Sequence, residues 1–288
     1  MTKRLAVMIC TKNRVTELFG LLQSLRTSTF QDWDCFILDD YGDNPNTNFH
    51  FYNCIVNLLK QENHKVFTKR TDFPHGVTRA RQAIVDWVLS IENYELLCRL
   101  DDDILVETDY LERLVNLIDE GEYQLVSGVT VPAVCPSFIR NKTPEIANRV
   151  ILDNEGNYIM NGDDCGMLYA NPKIVPAHHF RSCCMYKSEI HQKANYLPTR
   201  LSMNGFREEQ IFSFRVLLAG YKIGVDFSAV NYHLISPSGG ERPTMNMAPF
   251  NQQILYDFTK ENQVELNKLF THENMPSNLE LSKETNLK

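Results

Sequence analysis

The sequence predicts an α/β fold in which helices cover both faces of a doubly wound sheet. Short apolar runs alternate with segments of helical periodicity through the N-terminal third of the chain, as successive βαβ units require. Several of these runs are apolar almost without interruption, which is typical of parallel strands buried on both faces. Both observations indicate parallel strands that are joined by right-handed crossovers.

The N-terminal half of the chain contains the clearest strands. The first run, Leu5 to Cys10, ends in Thr11-Lys12-Asn13-Arg14, whose polar residues suit a loop and the start of a helix. Later apolar runs end in the same way, in loops that carry charged residues. We predict strands at 5–10, 33–38, 66–67 and 96–100, and helices around 18–25 and 77–91.

The C-terminal half is less regular. Residues 132–178 contain scattered Pro, Gly and Asn, and no element is predicted there. We expect one domain over residues 1–273, followed by a polar tail at 274–288. The remaining predicted elements are helices at 108–118, 208–219 and 250–270, and strands at 125–131, 180–186, 222–227 and 229–233.

The composition is that of a soluble globular protein, with 43% hydrophobic and 23% charged residues among 288. A net charge of −7 without a basic block does not indicate binding to nucleic acids or membranes. No apolar run reaches the roughly 18 residues of a membrane helix, and a secretory signal pattern is missing. The eight cysteines form no Cys-x-x-Cys pair. We therefore expect a cytoplasmic protein with reduced thiols and no integral membrane segment.

Charged residues are concentrated where the predicted strands end. Asp101-Asp102-Asp103 follow the fourth strand, Asp39-Asp40 follow the second, and Arg79 and Arg81 lie in the helix after the third. Ligands of open α/β sheets bind at this edge. Arginine pairs with phosphate and carboxylates bind Mg²⁺ or Mn²⁺, so the set suits a nucleoside diphosphate held with a divalent metal. On spacing alone, a solvated charged turn explains the three aspartates equally well.

Phosphate-binding motifs of other nucleotide enzymes are missing. Neither G-x-G-x-x-G nor a Walker lysine motif occurs, which argues against dinucleotide-dependent dehydrogenases and P-loop enzymes. Four segments of the N-terminal half instead resemble motifs of family 2 glycosyltransferases. Residues 7–14 (VMICTKNR) are similar to the opening strand and "P-T-Y-N-R" loop, 36–40 (FILDD) to "I-V-V-D-D", 76–82 (GVTRARQ) to "G-x-x-x-A-R-N", and 100–111 to "L-D-x-D" followed by "D-Y-L".

The resemblance continues in the C-terminal half. Residues 208–221 (EEQIFSFRVLLAGY) are similar to "E-D-x-D-L-x-x-R-x-x-x-A-G-Y", and Asn231-Tyr232-His233 falls where many family members place a metal-binding histidine. The resemblance implies a GT-A fold, which is a Rossmann-like mixed sheet with helices on both faces. It also implies metal-dependent, inverting transfer of a sugar from a nucleotide-sugar. Residues 1–120 would then bind the nucleotide-sugar and residues 121–273 the acceptor.

The resemblance assigns donor binding to residues at the predicted strand ends. Asp40 would accept a hydrogen bond from the nucleobase, Thr11 would lie against the base, and Arg81 would lie near the base or the diphosphate. Asp101 would contact the ribose, or a metal through water. The complete donor set is Thr11, Arg14, Asp40, Arg81, Asp101 and Asp102.

The resemblance also implies a metal site and a general base. Asp103 and His233, with Asp101, would bind Mn²⁺ or Mg²⁺, because a neutral imidazole with one carboxylate and two phosphate oxygens suits such an ion. Glu209 falls at the position of the catalytic base, which takes the proton of the acceptor hydroxyl. The family usually has Asp there, and the adjacent Glu208 is the rival base.

A UDP-sugar is the default donor, and the acceptor stays open between a glycan, a lipid-linked sugar, a protein and a modified nucleic-acid base. The oligomeric state is also open. Two other functions compete with glycosyl transfer. A sugar-phosphate nucleotidyltransferase would carry a glycine-rich loop after the first strand, and Cys10 to Arg14 contains no glycine. A non-catalytic nucleotide-sugar-binding protein would be expected to have lost one of Asp101, Asp103, Glu209 and His233.

Overall fold

The protein is described from a computed structural model that covers residues 4–133, 146–152, 158–160, 174–196, 201–237 and 247–270. Within these ranges the strands are β1 (Leu5–Thr11), β2 (Trp33–Asp39), β3 (Val66–Arg70), β4 (Leu96–Asp101), β5 (Ile104–Val106), β6 (Leu125–Pro132), β7 (Val150–Leu152), β8 (Tyr158–Met160), β9 (Ile174–Pro176), β10 (Cys184–Lys187) and β11 (Ile223–His233). The helices are α1 (Val15–Arg26), α2 (His50–Gln61), α3 (Val77–Ile91), α4 (Tyr110–Asp119), α5 (Glu208–Leu218), α6 (Met247–Glu261) and α7 (Gln263–Phe270).

Most of the strands belong to one mixed sheet. Its first four strands are parallel, in the order β3-β2-β1-β4. β10 then pairs antiparallel with both β4 and β6, and β6 pairs parallel with β11. β5 and β9 pair antiparallel with β11, while β7 and β8 form a separate pair. The predicted mixed α/β sheet, with a parallel N-terminal half, is confirmed.

The apolar runs of the central strands are explained by burial on both faces of the sheet. In β1, Leu5, Val7 and Ile9 pack into a core with α1, α2 and α4. Ala6 and Met8 point to the opposite face and pack against α3. Alternate side chains of one strand therefore enter two different cores, so no position of the strand favours a polar residue. Along the described ranges, none of the helices has the length and apolar character of a membrane span.

Two predictions for the C-terminal half are wrong in their boundaries. Residues 222–233 were expected as two strands, but they form the single strand β11, which is irregular between Val225 and Val230. Within the irregularity the Asp226 carboxylate accepts the backbone N–H of Ser228 at 2.8 Å, so this donor has a partner where the pairing with β6 is interrupted. The helix predicted at 250–270 is divided into α6 and α7 at Asn262, whose side chain donates to a backbone carbonyl of α6.

Other differences concern short strands. The strand predicted at 180–186 is shorter and begins at Cys184, after Ser182 with its positive φ of 47°. β5 was not predicted, because the residues after the aspartates were read as a turn. Part of the irregular stretch 132–178 forms β7, β8 and β9. Residues 134–145, 153–157 and 161–173 of that stretch and the tail 274–288 lie outside the described residues, and the division into residues 1–273 and a tail stays a prediction.

The bulge in β11 determines where the end of that strand lies. At the bulge the carbonyl oxygen of Ala229 approaches Gly128 of β6 so closely that a Cβ atom there would collide with it. The same Cβ atom would lie 2.7 Å from the ring of Tyr110. Beyond the bulge, β11 pairs with β5, so that His233 lies opposite Ile104. Glycine at position 128 therefore allows the strand register that brings His233 beside the aspartates.

The substitution Gly128→Ala is expected to lower the free energy of unfolding by about 1–3 kcal/mol, because the added methyl group meets a backbone carbonyl that cannot move without shifting β11. Urea unfolding measures the change. Gly20→Ala in α1 is the control, since its nearest neighbour is the flexible end of Leu105 at 3.3 Å and alanine is favoured in helices. Equal loss of stability in both variants would contradict this account of the bulge.

Candidate active site

A cavity of about 400 Å³ lies at the carboxyl ends of β1 and β4. These two strands are parallel neighbours, so the loops that follow them meet at one edge of the sheet, where α/β sheets bind ligands. The start of α3, the loop before α5 and the end of β11 complete the walls. The cavity is lined by most of the residues that the sequence singled out: Thr11, Arg14, Asp40, Arg81, Asp101, Asp102, Asp103, Glu209 and His233.

Asp103 and His233 are brought together by the pairing of β5 with β11. The backbone N–H of Leu234 donates to the carbonyl oxygen of Asp103 at 2.8 Å. The side chains meet where His233 Nε2 lies 3.2 Å from Asp103 Oδ2. The hydrogen bond to Asp103 raises the pKa of His233. Burial works to raise the pKa of Asp103, but His233 and Arg14 outweigh it and the pKa is lowered.

This pair fits the predicted divalent metal in the chemistry of its donors. A carboxylate and an imidazole that face each other offer one oxygen and one nitrogen, and a nucleotide diphosphate would supply the remaining oxygens. In the described part of the chain, no group of three or more His, Cys, Asp or Glu side chains is arranged to hold a metal by itself. Asp101 is bonded to Arg81, so its role as a third ligand stays a prediction.

Arg14 supplies the positive charge next to Asp102 and Asp103 in this structure. Its Nη1 lies 2.9 Å from Asp102 and 3.2 Å from Asp103. Burial raises the pKa of Asp102 to about 6 even though Arg14 opposes the shift. Arg14 also donates to the carbonyl oxygens of Ser236 and Pro237, which follow β11. Arg14 thus links the loop after β1 to the segment that follows His233.

Asp40 connects the end of β2 to the start of α3. Its backbone N–H donates to the carbonyl of Thr11, and its two carboxylate oxygens accept the backbone N–H groups of His75 and Gly76 at 2.7 and 2.9 Å. Gly76 has a φ of +76°, and a Cβ atom there would lie 2.8 Å from the carbonyl oxygen of Met203. Oδ1 of Asp40 also accepts the Thr71 hydroxyl at 3.3 Å, so Oδ2 is the oxygen that could accept a further hydrogen bond, such as one from a nucleobase N–H.

Five charged side chains form an arginine–carboxylate cluster at the inner wall of the cavity: Arg81, Arg99, Asp101, Glu208 and Glu209. Arg81 donates to Asp101 at 2.7 Å, contacts Glu208, and lies 3.6 Å from Glu209. Arg99 Nη2 lies 2.7 Å from Glu208 and 3.2 Å from Glu209. Two guanidinium groups are therefore shared among three carboxylates.

The two glutamates at the start of α5 differ in what they can reach. The side chain of Glu208 is 2% exposed and points into the cluster, whereas that of Glu209 is 22% exposed and lines the cavity. Burial favours the neutral form of Glu209, but Arg99 and Arg81 outweigh it and hold its pKa below the ordinary value. Both carboxylates also lie at a helix N-terminus, where the dipole favours negative charge.

Some residues of the cavity were missed by the sequence analysis. Arg99 lies within an apolar strand, and a charge in such a strand signals a buried partner of opposite sign. Met203 and Phe206 line the cavity from the loop before α5, and no local motif marks them. That loop is held by Asn251 of α6, which exchanges hydrogen bonds with Ser202 at 2.9 and 2.7 Å.

Comparison with known proteins identifies the family of this chain. The sequence model of glycosyl transferase family 2 matches residues 6–193, well over half of the chain. The chain belongs to glycosyl transferase family 2. The matched range includes the loops that carry Asp40, Arg81 and the three aspartates, so the resemblance drawn from these motifs is confirmed. A search of curated proteins found no significant sequence match to this chain.

Solved structures share the fold of this family 2 chain. GalNAc-T7, crystallised with UDP, GalNAc and Mn²⁺, has a TM-score of 0.62 and 13% identity, over 90% of this chain and 48% of its own. TarS 1–349 of S. aureus has a TM-score of 0.54 and 15% identity, over 80% of this chain and 60% of its own. Its complex with UDP-GlcNAc has a TM-score of 0.56 and 12% identity, over 90% and 66%.

The chain thus spans about half of the GalNAc-T7 chain and less than two thirds of the TarS chain. At these identities the likeness shows the fold alone, and that fold is the expected GT-A fold.

The substitution Asp40→Ala is expected to lower the free energy of unfolding by about 1–3 kcal/mol, because the backbone N–H groups of His75 and Gly76 lose their acceptors. Urea unfolding measures the loss, and amide hydrogen exchange at the start of α3 should become faster. Asp72→Ala is the control, since Asp72 is exposed and lies in the loop that carries His75 and Gly76. If both variants match the wild type, Asp40 does not hold the start of α3.

Proposed function

We propose that the protein is a metal-dependent, inverting glycosyltransferase that transfers a sugar from a UDP-sugar to an acceptor hydroxyl group, with Glu209 as the general base. One observation carries the proposal: the carboxylate–imidazole pair of Asp103 and His233 and the accessible carboxylate of Glu209 line the same cavity. That cavity lies at the sheet edge where α/β folds bind nucleotides. The cavity would thus hold the donor and offer a base to the acceptor.

The donor would lie along the loops after β1, β2 and β4. Asp40 and Thr11 are joined by a backbone hydrogen bond and would face the nucleobase, while Arg14 and Arg81 would supply positive charge toward the diphosphate. The chains of similar fold support a uridine nucleotide, since GalNAc-T7 was crystallised with UDP and TarS with UDP-GlcNAc. In the present structure Arg14 and Arg81 are paired with aspartates, so donor phosphates would compete for the same guanidinium groups.

Asp103 and His233 would hold the divalent cation. Mn²⁺ suits this mixed oxygen and nitrogen donor pair, and GalNAc-T7 was crystallised with Mn²⁺. The cation would supply positive charge for the diphosphate as it leaves. The lowered pKa of Asp103 keeps its carboxylate ionised at neutral pH, as a metal ligand must be.

Glu209 is better placed than Glu208 to act as the base. Glu209 is the glutamate that reaches the cavity, and Arg81 and Arg99 keep it anionic at neutral pH. Glu208 contacts both arginines from a buried position. A base must lie within hydrogen-bond reach of the proton it removes, and a carboxylate without access to the cavity does not meet this condition.

The proposed reaction is a single displacement. The oxygen of the acceptor hydroxyl forms a bond to the anomeric carbon while the bond from that carbon to the diphosphate oxygen breaks. The hydroxyl proton passes to Glu209, and the electron pair of the broken bond stays on the departing UDP. Attack from the face opposite the diphosphate inverts the anomeric configuration. The charge that develops on UDP would be stabilised by arginine side chains already directed into the cavity.

Removal of the proposed metal ligand should separate metal-dependent from metal-independent binding of UDP. Calorimetry is expected to show UDP binding to the wild type at least about tenfold more tightly with Mn²⁺ than without it, which is about 1.4 kcal/mol. Asp103→Ala should abolish this difference, and His233→Ala should reduce it. Asp72→Ala is the control and should behave as the wild type. An Asp103→Ala protein that retains the full effect of Mn²⁺ would refute the metal assignment.

Replacement of the base should separate binding from turnover. Glu209→Gln keeps the shape of the side chain but cannot accept the proton, so turnover is expected to fall by about 100- to 10,000-fold with UDP affinity unchanged. Slow hydrolysis of the UDP-sugar, in which water replaces the acceptor, provides the assay. Glu208→Gln should keep measurable turnover. If instead Glu208→Gln loses turnover and Glu209→Gln retains it, Glu208 is the base.

A further inference from the structure

Arg99 is a buried cation whose position is not explained by the strand that carries it. It is 3% exposed and lies in β4 between Cys98 and Leu100, whose side chains both pack into the core with α1, α2 and α4. Its guanidinium group lies over the rings of Phe180 and Tyr196, at 5.3 and 5.8 Å from their centroids. An ionised group at this depth is expensive unless carboxylates neutralise it. Its place in the wall of the cavity is therefore explained only together with the carboxylates that it contacts.

The carboxylates that neutralise Arg99 are the two glutamates of α5. Its Nη2 lies 2.7 Å from Glu208 Oε1 and 3.2 Å from Glu209 Oε1, so one nitrogen contacts both side chains. Aromatic contacts restrict the guanidinium, and the guanidinium in turn restricts the Glu209 carboxylate. Arg81 approaches Glu209 less closely, at 3.6 Å, and is also bonded to Asp101. Arg99 is thus the nearer cation of Glu209.

We propose that Arg99 is a positioning residue for the transfer reaction, which holds the Glu209 carboxylate charged at the cavity wall while Glu208 contacts the same guanidinium groups and weakens their hold on Glu209. The inference rests on the proposed function, in which Glu209 is the base. Without Glu208, two guanidinium groups would act on Glu209 and weaken it as a proton acceptor. Without Arg99, burial would favour the protonated form of Glu209, which cannot act as a base.

Several charged and titratable groups surround Glu209 and influence its ionisation. Arg81 faces it from α3 and Arg99 from β4. His179 and Cys184 interact with it from the segment around β10, and Arg207 interacts with it from the residue before α5. Burial lowers the pKa of His179 to about 4 and raises that of Cys184 to about 12, so both are neutral near pH 7. Burial and the two arginines therefore dominate the ionisation of Glu209, and Glu208 acts on it through the guanidinium groups that both glutamates contact.

The test is the pH dependence of UDP-sugar hydrolysis by the full chain. Arg99→Met should move the acidic limb of the kcat/KM profile to higher pH by about one unit or more, because Glu209 loses its nearer cation. Glu208→Gln should move the same limb to lower pH, because a competing negative charge is removed. UDP should still bind to both variants. A purely structural role for Arg99 would lower activity at every pH without moving the limb.

A direct titration keeps the test independent of turnover. The carboxyl ¹³C resonance of Glu209 is assigned by its absence in Glu209→Gln and followed against pH. It should titrate at higher pH in Arg99→Met and at lower pH in Glu208→Gln than in the wild type. If Arg99→Met does not fold, Arg99→Lys replaces it and should give a smaller upward shift, since a lysine ammonium does not reproduce the guanidinium contacts.

The outcomes distinguish the two proposals. Full turnover in Glu209→Gln would remove the base assignment, whatever Arg99 does. Loss of turnover in Glu209→Gln, together with an unmoved Glu209 titration in the Arg99 variants, would overturn the positioning role alone. Shifts of the Glu209 titration in opposite directions in Arg99→Met and Glu208→Gln support the positioning role.

Discussion

The candidate active site depends on charge balance within the arginine–carboxylate cluster. Arg81 and Arg99 are shared among Asp101, Glu208 and Glu209, and the cluster joins α3, β4 and α5 in one network. Neither the arginines nor the carboxylates could be buried there alone, since an unpaired ion in such a place is strongly destabilising. The network also places one arginine, Arg81, between two carboxylates of the candidate site. Arg81 contacts Asp101, which is proposed to bind the donor, and lies near Glu209, the proposed base, so one guanidinium is shared by groups with two different proposed roles.

A second constraint is the register of β11. The strand accommodates a bulge against Gly128, then pairs with the three-residue strand β5. This pairing gives His233 its position beside Asp103. The proposed metal ligands are therefore joined by backbone hydrogen bonds as well as by their own contact. Rigid support of this kind is what a site needs to hold a ligand in one geometry.

Much of this arrangement could be predicted from the sequence. The parallel strands of the N-terminal half follow from their apolar runs, because both faces of β1 and β2 are buried. The site residues were predicted because polar segments follow these strands and resemble family motifs. The short strand β5 and the continuous strand β11 were not predicted. β5 is too short to show alternation, and the irregularity of β11 between Val225 and Val230 falls where the sequence predicts the end of one strand and the start of the next.

Arg99 was overlooked for a different reason. Its partners Glu208 and Glu209 are more than a hundred residues away, and only the fold brings them together. The same holds for Met203 and Phe206 in the cavity wall. A long-range ion pair has no sequence spacing that identifies it, although a charge inside an apolar strand indicates that one exists.

The most direct test of the central claim is a crystal structure of the full chain with UDP and Mn²⁺, with the metal located by its anomalous scattering. The account predicts one strong peak between Asp103 and His233, with both side chains and the UDP diphosphate as ligands, and the uracil ring beside Asp40. UDP bound in the cavity without a metal peak at Asp103 and His233, or a peak at another carboxylate group, would contradict it.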